Sequence, residues 1–245
     1  MINTIFFDLD DTLSDHKECE KQGLIHVFEK IGTPYKDEYQ DIFRPLDREL
    51  WRTGIHNGKH IPSLEIPTYR FKILFEEIGL AYDNYEEANL QFKIGFASSA
   101  PLLDGAEELV KYLHEKGYLL CIVTNGLVEL QTPRIHNSTI GKYISHIIVS
   151  EEVVAKPNPL IFETLLERIK TTQNAWVSSS DAERPAPDKV VMIGDRLDLD
   201  VLGAKNANIK SIWYNPKGFE NDTDIVPDYE VNDLLQVIDV IKLLS

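Results

Sequence analysis

The sequence predicts an α/β protein in which a doubly wound parallel sheet carries an inserted helical domain. Three observations support this prediction. Short apolar runs of strand length recur along the chain, and most are followed by segments with helical periodicity. The stretch from about residue 15 to residue 100 shows only helical patterns. Because repeated strand–helix units form parallel sheets covered on both faces, the helical stretch is expected to be an insertion.

The first strand is predicted at residues 2–7, an apolar segment rich in residue types that favour β-structure. Apolar residues then recur at helical spacing, as in Ile25, Phe28 and Ile31 and again in Phe71, Leu74 and Phe75. We therefore predict a core domain made of residues 1–14 and 101–245, with an all-helical domain at 15–100.

The strand–helix alternation resumes after Pro101. Further strands are predicted at 119–123, 146–149, 190–193 and 209–214, and helices at 106–113, 127–138, 158–170, 198–207 and 232–244. Pro133 is expected to interrupt the second of these helices. Residues 171–188 show little periodicity and predict a long exposed loop. The whole pattern predicts a Rossmann-like core.

The composition limits the classes of partner. A net charge of −15 argues against a nucleic-acid polymer, whose phosphates need a basic surface. No stretch approaches 18 apolar residues, and no basic segment precedes the first acidic residue, so neither a membrane span nor a signal peptide is predicted. Cys19 and Cys121 imply no disulfide framework. We expect a cytoplasmic monomer or homodimer that acts on a small molecule.

Two carboxylates, Asp8 and Asp10, follow the first predicted strand, where ligands collect in open α/β sheets. One can attack a phosphate ester, while the second protonates the leaving alkoxide and later takes a proton from water. We expect the pKa of the second to lie well above that of its neighbour. An EF-hand loop is excluded, because Leu13 stands where that loop needs glycine. An ordinary acidic turn stays open for this segment alone.

A third carboxylate, Asp195, follows the strand at 190–193 and comes directly after Gly194. Together with Asp8 it can hold Mg²⁺, which prefers a few carboxylates plus water and substrate oxygens. The cation would offset the repulsion between carboxylates and phosphate. Asp200 is assigned a supporting role, orienting Lys156 or a metal-bound water.

Phosphate-binding groups are predicted after two other strands. Thr124 offers a hydroxyl, and Asn125 and Gly126 offer backbone N–H groups ahead of a helix. Lys156 offers a positive charge. Both kinds of donor suit the oxygens of a phosphoryl group during transfer. Taken singly, these segments also fit an ordinary turn and a surface dipeptide.

These four segments, taken together and in this order, resemble the haloacid dehalogenase (HAD) phosphohydrolase superfamily. The matching residues are Asp8-Leu9-Asp10-Asp11-Thr12-Leu13, Thr124, Lys156, and Gly194-Asp195 with Asp200. The resemblance implies that Asp8 is the nucleophile and Asp10 the acid/base. It implies Mg²⁺ on Asp8, the backbone carbonyl of Asp10, and Asp195. It also implies that the helical insertion is a cap domain, and that the second aspartate disfavours halide displacement.

A finer resemblance is to the bacterial pyrimidine 5′-nucleotidase branch. It rests on four further segments: Leu50-Trp51-Arg52, Ile122–Gly126, Val149-Ser150-Glu151-Glu152 and Trp213-Tyr214-Asn215-Pro216. The resemblance implies a nucleoside monophosphate as substrate. Trp51 could stack on a base and Arg52 could meet phosphate or a ring carbonyl. The alternative is that Trp51 packs in the core of the helical domain and Arg52 is a surface charge. Arg196, where the branch usually has Ser, could contact substrate or pair with nearby acids.

Besides a Mg²⁺-dependent nucleotide phosphatase, three other functions are alternatives. A sugar-phosphate phosphatase or phosphomutase would use the same residues. A phospho-receiver domain also combines acids, Thr and Lys at strand ends, but it carries its phosphorylated aspartate after the third strand, and here Val149-Ser150 stands there. A non-catalytic binding protein is not supported, since every expected catalytic residue type is present.

Overall fold

The computed structural model describes residues 1–98, 100–176 and 186–244, with the side chains of 173–176 left out. The chain forms two compact units. One combines Met1–His16 with Ala100–Ser245, and the other is Lys17–Ser99. Among the helices within these described ranges, none is long and apolar enough to cross a membrane.

The strands and helices are numbered in chain order. The strands are β1 (Thr4–Phe7), β2 (Ile55–His56), β3 (Lys59–His60), β4 (Leu119–Thr124), β5 (His146–Val149), β6 (Val190–Gly194), β7 (Lys210–Tyr214) and β8 (Tyr229–Val231). The α-helices are α1 (His16–Ile31), α2 (Asp37–Thr53), α3 (Ile66–Glu77), α4 (Tyr85–Ser98), α5 (Ala106–Glu115), α6 (Val128–Asn137), α7 (Leu160–Trp176), α8 (Leu202–Asn206) and α9 (Gln236–Leu244). A π-helical turn, Leu197–Val201, directly precedes α8.

The first unit is built on a six-stranded sheet with the order β5-β4-β1-β6-β7-β8, and every neighbouring pair is parallel. Alternate residues of β1 enter different cores. Ile5 and Phe7 pack with α5 and α9 residues, whereas Phe6 packs with α7 residues such as Phe162. A strand covered on both faces must be apolar throughout, as β1 is. The predicted doubly wound α/β fold is therefore confirmed.

The position of β1 determines where functional residues meet. It lies at the centre of the sheet, with β4 on one side and β6 on the other. The chain runs outward from β1 in one direction through β4 and β5, and in the other through β6 and β7. Such a reversal of strand order opens a crevice at the carboxyl ends of the central strands. The residues that follow β1, β4 and β6 are thus brought to one place.

The second unit contains α2, α3, α4 and most of α1, and its core is aromatic. The rings that contact one another include Phe28, Phe43, Phe71, Phe75 and Phe92. The prediction that this domain is entirely helical is wrong, because β2 and β3 form an antiparallel hairpin. Its turn is Asn57-Gly58, with φ of 48° and 75°. Asn-Gly is the preferred pair for a two-residue hairpin turn, which needs φ > 0 at both positions.

Two other local predictions need correction, and one strand was not predicted. Helix α6 runs through Pro133 without a break, at the cost of one intrahelical hydrogen bond. The predicted loop 171–188 is shorter at both ends, because α7 continues to Trp176 and residues Pro187–Lys189 form a 3₁₀ turn. The remainder of that loop, 177–185, lies outside the described residues. Strand β8 was not predicted, since its three residues are too short to show a pattern.

Candidate active site

The chain after β1 curls back on itself and presents Asp8, Asp10 and Thr12. Asp11 has φ of 59°, a left-handed conformation that a short polar side chain tolerates. The N–H groups of Leu13 and Ser14 both donate to the carbonyl of Leu9, at 3.0 and 2.8 Å. This tight turn places the two carboxylates of the first motif on the same crevice while letting them face different neighbours.

Lys156 joins three of the motifs. Its Nζ donates to Asp8 Oδ1 at 2.5 Å, to Asp200 Oδ1 at 2.7 Å and to the carbonyl of Val123 at 2.8 Å. An ammonium has three N–H donors, so these bonds use all of them. Although burial lowers the pKa of Lys156, the charges of Asp200 and Asp8 outweigh it and raise that pKa above its usual value. Contact with a phosphoryl group would require Lys156 to exchange one of these bonds.

Asn125 fixes the backbone at Lys156. Its Oδ1 accepts from the Lys156 N–H at 2.8 Å, and its Nδ2 donates to the Lys156 carbonyl at 3.3 Å. These bonds join the loop after β4 to the loop after β5, although the two residues are 31 positions apart. The side chain of Asn125 thus holds Lys156 in place, a contact that the sequence did not predict.

Asp8, Asp195 and Asp200 form a carboxylate cluster whose oxygens lie within 4.8 Å of one another. Burial raises the pKa of Asp8, and Lys156 only partly opposes that shift. Burial, followed by the charges of Asp8 and Asp200, raises the pKa of Asp195. When all three carboxylates are ionised, they outnumber the ammonium of Lys156 that binds two of them. A divalent cation with a preference for oxygen ligands, such as Mg²⁺, would balance that excess.

Asp10 lies outside this cluster and has its own cation. Its Oδ1 accepts from Arg134 Nη2 at 2.6 Å, and its Oδ2 accepts from Gln131 Nε2 at 2.8 Å. Burial alone would raise the pKa of Asp10, but Arg134, His16 and these hydrogen bonds outweigh it and lower the pKa to about 2. The expectation that the pKa of Asp10 lies above that of Asp8 is therefore wrong in this state. The predicted metal contact of Asp10 concerns its backbone carbonyl and stays a prediction.

The hydroxyl of Thr124 is buried at the end of β4 and accepts a hydrogen bond from Gln131 Nε2 at 3.1 Å. The N–H of Gly126 donates to Ser150 Oγ at 2.9 Å. Glu151 Oε2 accepts from the N–H of Val128, in the first turn of α6, at 2.7 Å. A phosphate that bound the N–H of Gly126 would first have to displace Ser150.

Asp200 and Arg196 sit in the loop after β6. Asp200 is buried, and besides Lys156 it binds the N–H of Arg196 through Oδ2 at 3.0 Å. Arg196 pairs with Asp198 through two hydrogen bonds of 2.9 and 2.7 Å, and the side chains of both are about half exposed. Of the two interpretations of Arg196, the structure shows the pairing with a nearby acid.

Trp51 and Arg52 are in the second unit, at the end of α2. Trp51 is 50% exposed, and its Nε1 donates to Asp47 Oδ1 at 3.1 Å. Arg52 is exposed. Trp51 is therefore not buried in the aromatic core of its unit.

The sequence places Thr12 in the first motif but predicts no role for it, and it predicts no role for Gln131 or Arg134. Thr12 is fully buried; its hydroxyl accepts from the Asp195 N–H at 3.1 Å and lies 3.4 Å from Asp8 Oδ2. Gln131 and Arg134 are three residues apart on α6, so they share a face of that helix. Two polar residues at helical spacing just after Thr124 were the available signal, but such pairs usually lie on a solvated face.

Comparison with known proteins gives one family. The family model for haloacid dehalogenase-like hydrolases matches residues 2–208. The chain is 33% identical to the pyrimidine 5′-nucleotidase PynA of Streptococcus pneumoniae R6, over 96% of this chain and 94% of that protein. It is 27% identical to a glyceraldehyde 3-phosphate phosphatase of Pyrococcus furiosus, over 98% of this chain and 93% of that protein.

A similar solved structure is that of the putative HAD-hydrolase YfnB from Bacillus subtilis bound to magnesium. It has a TM-score of 0.81 and 26% identity, and the match covers 98% of each chain. The family model and the PynA match each span most of the sequence. The chain belongs to the haloacid dehalogenase-like hydrolase family.

Proposed function

We propose that this phosphohydrolase removes the phosphate from nucleoside 5′-monophosphates, with Asp8 as the nucleophile and Mg²⁺ as cofactor. The observation that carries the proposal is the pairing of Asp8 with Lys156 inside a cluster of three carboxylates. The Lys156 ammonium keeps Asp8 oriented, and the excess of carboxylates calls for a divalent cation. Mg²⁺ bound by Asp8 and Asp195 would shield the incoming phosphate from these carboxylates.

The proposed reaction has two steps. An oxygen of Asp8 attacks phosphorus, the bond from phosphorus to the nucleoside oxygen breaks, and the proton of Asp10 goes to that leaving oxygen. Water then attacks the phosphorus of the acyl phosphate, Asp10 takes the proton of the water, and inorganic phosphate leaves with Asp8 restored. Thr124 and Lys156 bind phosphoryl oxygens in both steps.

Asp10 is a carboxylate in the absence of substrate, because Arg134 lowers its pKa. A phosphate dianion bound nearby has the opposite effect, since like charges disfavour the ionised form of a carboxyl group. Substrate binding would therefore help to load Asp10 with the proton that it donates. The same carboxylate is ready to accept a proton once the nucleoside has left.

The substrate class is inferred from the relatives and from the helical unit. The similarity to PynA extends over both units, since it covers 96% of the chain. We propose that Lys17–Ser99 acts as the cap, with Trp51 for base stacking and Arg52 for a polar contact. The similarity to a glyceraldehyde 3-phosphate phosphatase favours a sugar phosphate as the second candidate. That relative is less similar, at 27% identity.

A substrate panel tests the proposal. The protein is assayed for phosphate release from UMP, dUMP, dTMP, AMP, glucose 6-phosphate and glyceraldehyde 3-phosphate, with Mg²⁺ or with EDTA. We expect the highest kcat/KM on pyrimidine nucleotides and no turnover in EDTA. Asp8→Asn is the matched control, because it keeps the size of the side chain but removes the nucleophilic charge. Full activity of Asp8→Asn would rule out the covalent route, and a preference for sugar phosphates would replace the proposed substrate.

A further inference from the structure

Two buried side chains on α6, Gln131 and Arg134, contact the groups that would carry the proton and the phosphate. We propose that they are positioning residues that hold the Asp10 carboxylate and the Thr124 hydroxyl as one hydrogen-bonded unit. The inference rests on the proposed function, because it takes Asp10 as the acid/base and Thr124 as a phosphate ligand. Gln131 is 4% exposed and Arg134 is 1% exposed.

Arg134 determines which way the amide of Gln131 points. Its Nη1 donates to Gln131 Oε1 at 2.5 Å. A guanidinium can only donate, so the oxygen of the amide must face Arg134 and the NH₂ group must face away. The NH₂ group is thereby directed at Asp10 Oδ2 (2.8 Å), Thr124 Oγ1 (3.1 Å) and the carbonyl of Asn125 (3.0 Å). It has two hydrogens for these three acceptors, so two of the acceptors share a hydrogen. Arg134 thus orients Gln131, and Gln131 reaches both functional groups.

The direction of these bonds matters for Thr124. Because its oxygen accepts from Gln131, its own hydrogen must point elsewhere. Among the residues that the structure describes, its acceptor is the carbonyl of Asn125, at a long 3.3 Å. A phosphoryl oxygen is a stronger acceptor than a carbonyl, since it is charged. Gln131 therefore sets Thr124 as a donor toward a bound phosphate.

The same bonds hold the Asp10 carboxyl group but do not occupy all of its acceptor positions. Arg134 Nη2 binds Oδ1 and Gln131 Nε2 binds Oδ2. A carboxylate offers about four lone-pair positions, so each oxygen keeps one for a proton shared with the leaving group or with water. Arg134 also donates to Ser14 Oγ at 3.0 Å, which connects this hydrogen-bonded group to the residue that follows the first motif.

A role in stability alone does not account for this arrangement. A buried arginine–aspartate pair must offset a large desolvation penalty, and apolar residues of similar volume are often as stabilising. A side chain kept only as a partner for Arg134 would need an acceptor and no donor. Glutamate would satisfy that requirement, whereas orienting Thr124 and Asp10 requires the NH₂ group of Gln131. The difference between Glu and Gln at position 131 therefore distinguishes a positioning role from a purely structural one.

The experiment compares Gln131→Met and Gln131→Glu with the unmodified protein on two substrates. One is p-nitrophenyl phosphate, whose leaving group needs no proton. The other is the nucleotide that the unmodified protein hydrolyses best, whose alkoxide does need one. We expect both variants to lose about 10²-fold in kcat/KM on the nucleotide, the low end of what general acid–base catalysis contributes. The first-turnover release of p-nitrophenolate should fall by less than about 10-fold, with slower turnover afterwards, because the attack of water still depends on Asp10.

Ile135→Val is the matched control, since Ile135 is buried on the same helix but packs in the apolar core. It should leave both rates unchanged. Recovery of nucleotide activity in Gln131→Glu, or equal losses on both substrates, would overturn the proposal in favour of a structural role. Circular dichroism melting is recorded for every variant, and if Gln131→Met does not fold, the comparison with Gln131→Glu decides alone. If the unmodified protein showed no Asp8-dependent turnover at all, the proposed function itself would fail instead.

Discussion

Replacing Gly194 by alanine tests how the carboxylate cluster is assembled. A Cβ at this position would lie 2.3 Å from both Cγ and Oδ2 of Asp200, and 2.5 Å from its Cβ. Nonbonded carbon atoms approach one another to about 3.5 Å, so Asp200 would have to move by about 1 Å or more. Asp200 cannot move freely, because it is buried and bound to Lys156 and to the N–H of Arg196.

The loss in free energy of unfolding on Gly194→Ala can be worked out from these contacts. Overpacking of a tight site costs about 1–3 kcal/mol. Weakening a hydrogen bond between charged groups, here Lys156 to Asp200, adds about 1.5–3 kcal/mol. We expect Gly194→Ala to lower the free energy of unfolding by about 3–5 kcal/mol, which corresponds to a fall in Tm of roughly 10 °C for a chain of this size. Phosphatase activity should fall as well, since Lys156 also holds Asp8.

A double-mutant cycle in urea separates the clash from other effects of the substitution. Asp200→Gly removes every atom that the new Cβ would meet in that side chain. In this background Gly194→Ala should cost less than about 1 kcal/mol, so that the coupling energy between the two positions is about 2 kcal/mol or more. Equal costs in both backgrounds would show that Asp200 is not what demands glycine at position 194, and the reasoning would be refuted.

Three further predictions concern charge and substrate. Lys156→Met should destabilise the metal-free protein by about 3–5 kcal/mol, because Asp8 and Asp200 stay buried without their cation, and Mg²⁺ should restore part of the loss in urea unfolding. The free energy of unfolding of the metal-free protein should fall as pH rises above the usual carboxyl range. The reason is that the pKa values of Asp8 and Asp195 are raised, so the folded state binds more protons than the unfolded state in that pH range. Calorimetry from pH 5 to pH 8 measures Tm, and a Tm that rises with pH would contradict the prediction. Trp51→Ala should change the preference among nucleotides more than the rate on p-nitrophenyl phosphate, and equal losses on both would count against base stacking.

Much of the fold could be predicted because buried parallel strands leave a strong local pattern. Residues 119–123 are continuously apolar and form β4, and Phe6 is apolar because helices cover both faces of β1. The convergence of Asp8, Lys156 and Asp195 follows from the rule that the carboxyl ends of parallel strands share an edge.

The partners of Asp10 could not be predicted in this way. Arg134 is 124 positions from Asp10, and its orientation depends on how α6 packs, not on any pattern within α6. The expectation for the pKa of Asp10 was wrong for that reason, since it considered two close carboxylates without their cations.

The hairpin of the second unit is a different case. Its Asn57-Gly58 signal was present in the sequence, but the flanking strands of two residues each are too short to show alternation.

Asp8 and Asp10 are paired with different cations, which explains how two neighbouring carboxylates can differ in function. Asp8 and Asp200 both bind Lys156, so two carboxylates share one ammonium, whereas Asp10 pairs with Arg134. A divalent cation would therefore be drawn to the side of Asp8 and Asp195, where charge is unmatched, and not to the side chain of Asp10. Metal loading would then leave the bonds of Asp10 to Arg134 and Gln131 in place. In the proposed reaction, Asp10 would then stay positioned by protein alone, while Asp8 would be positioned by both protein and metal.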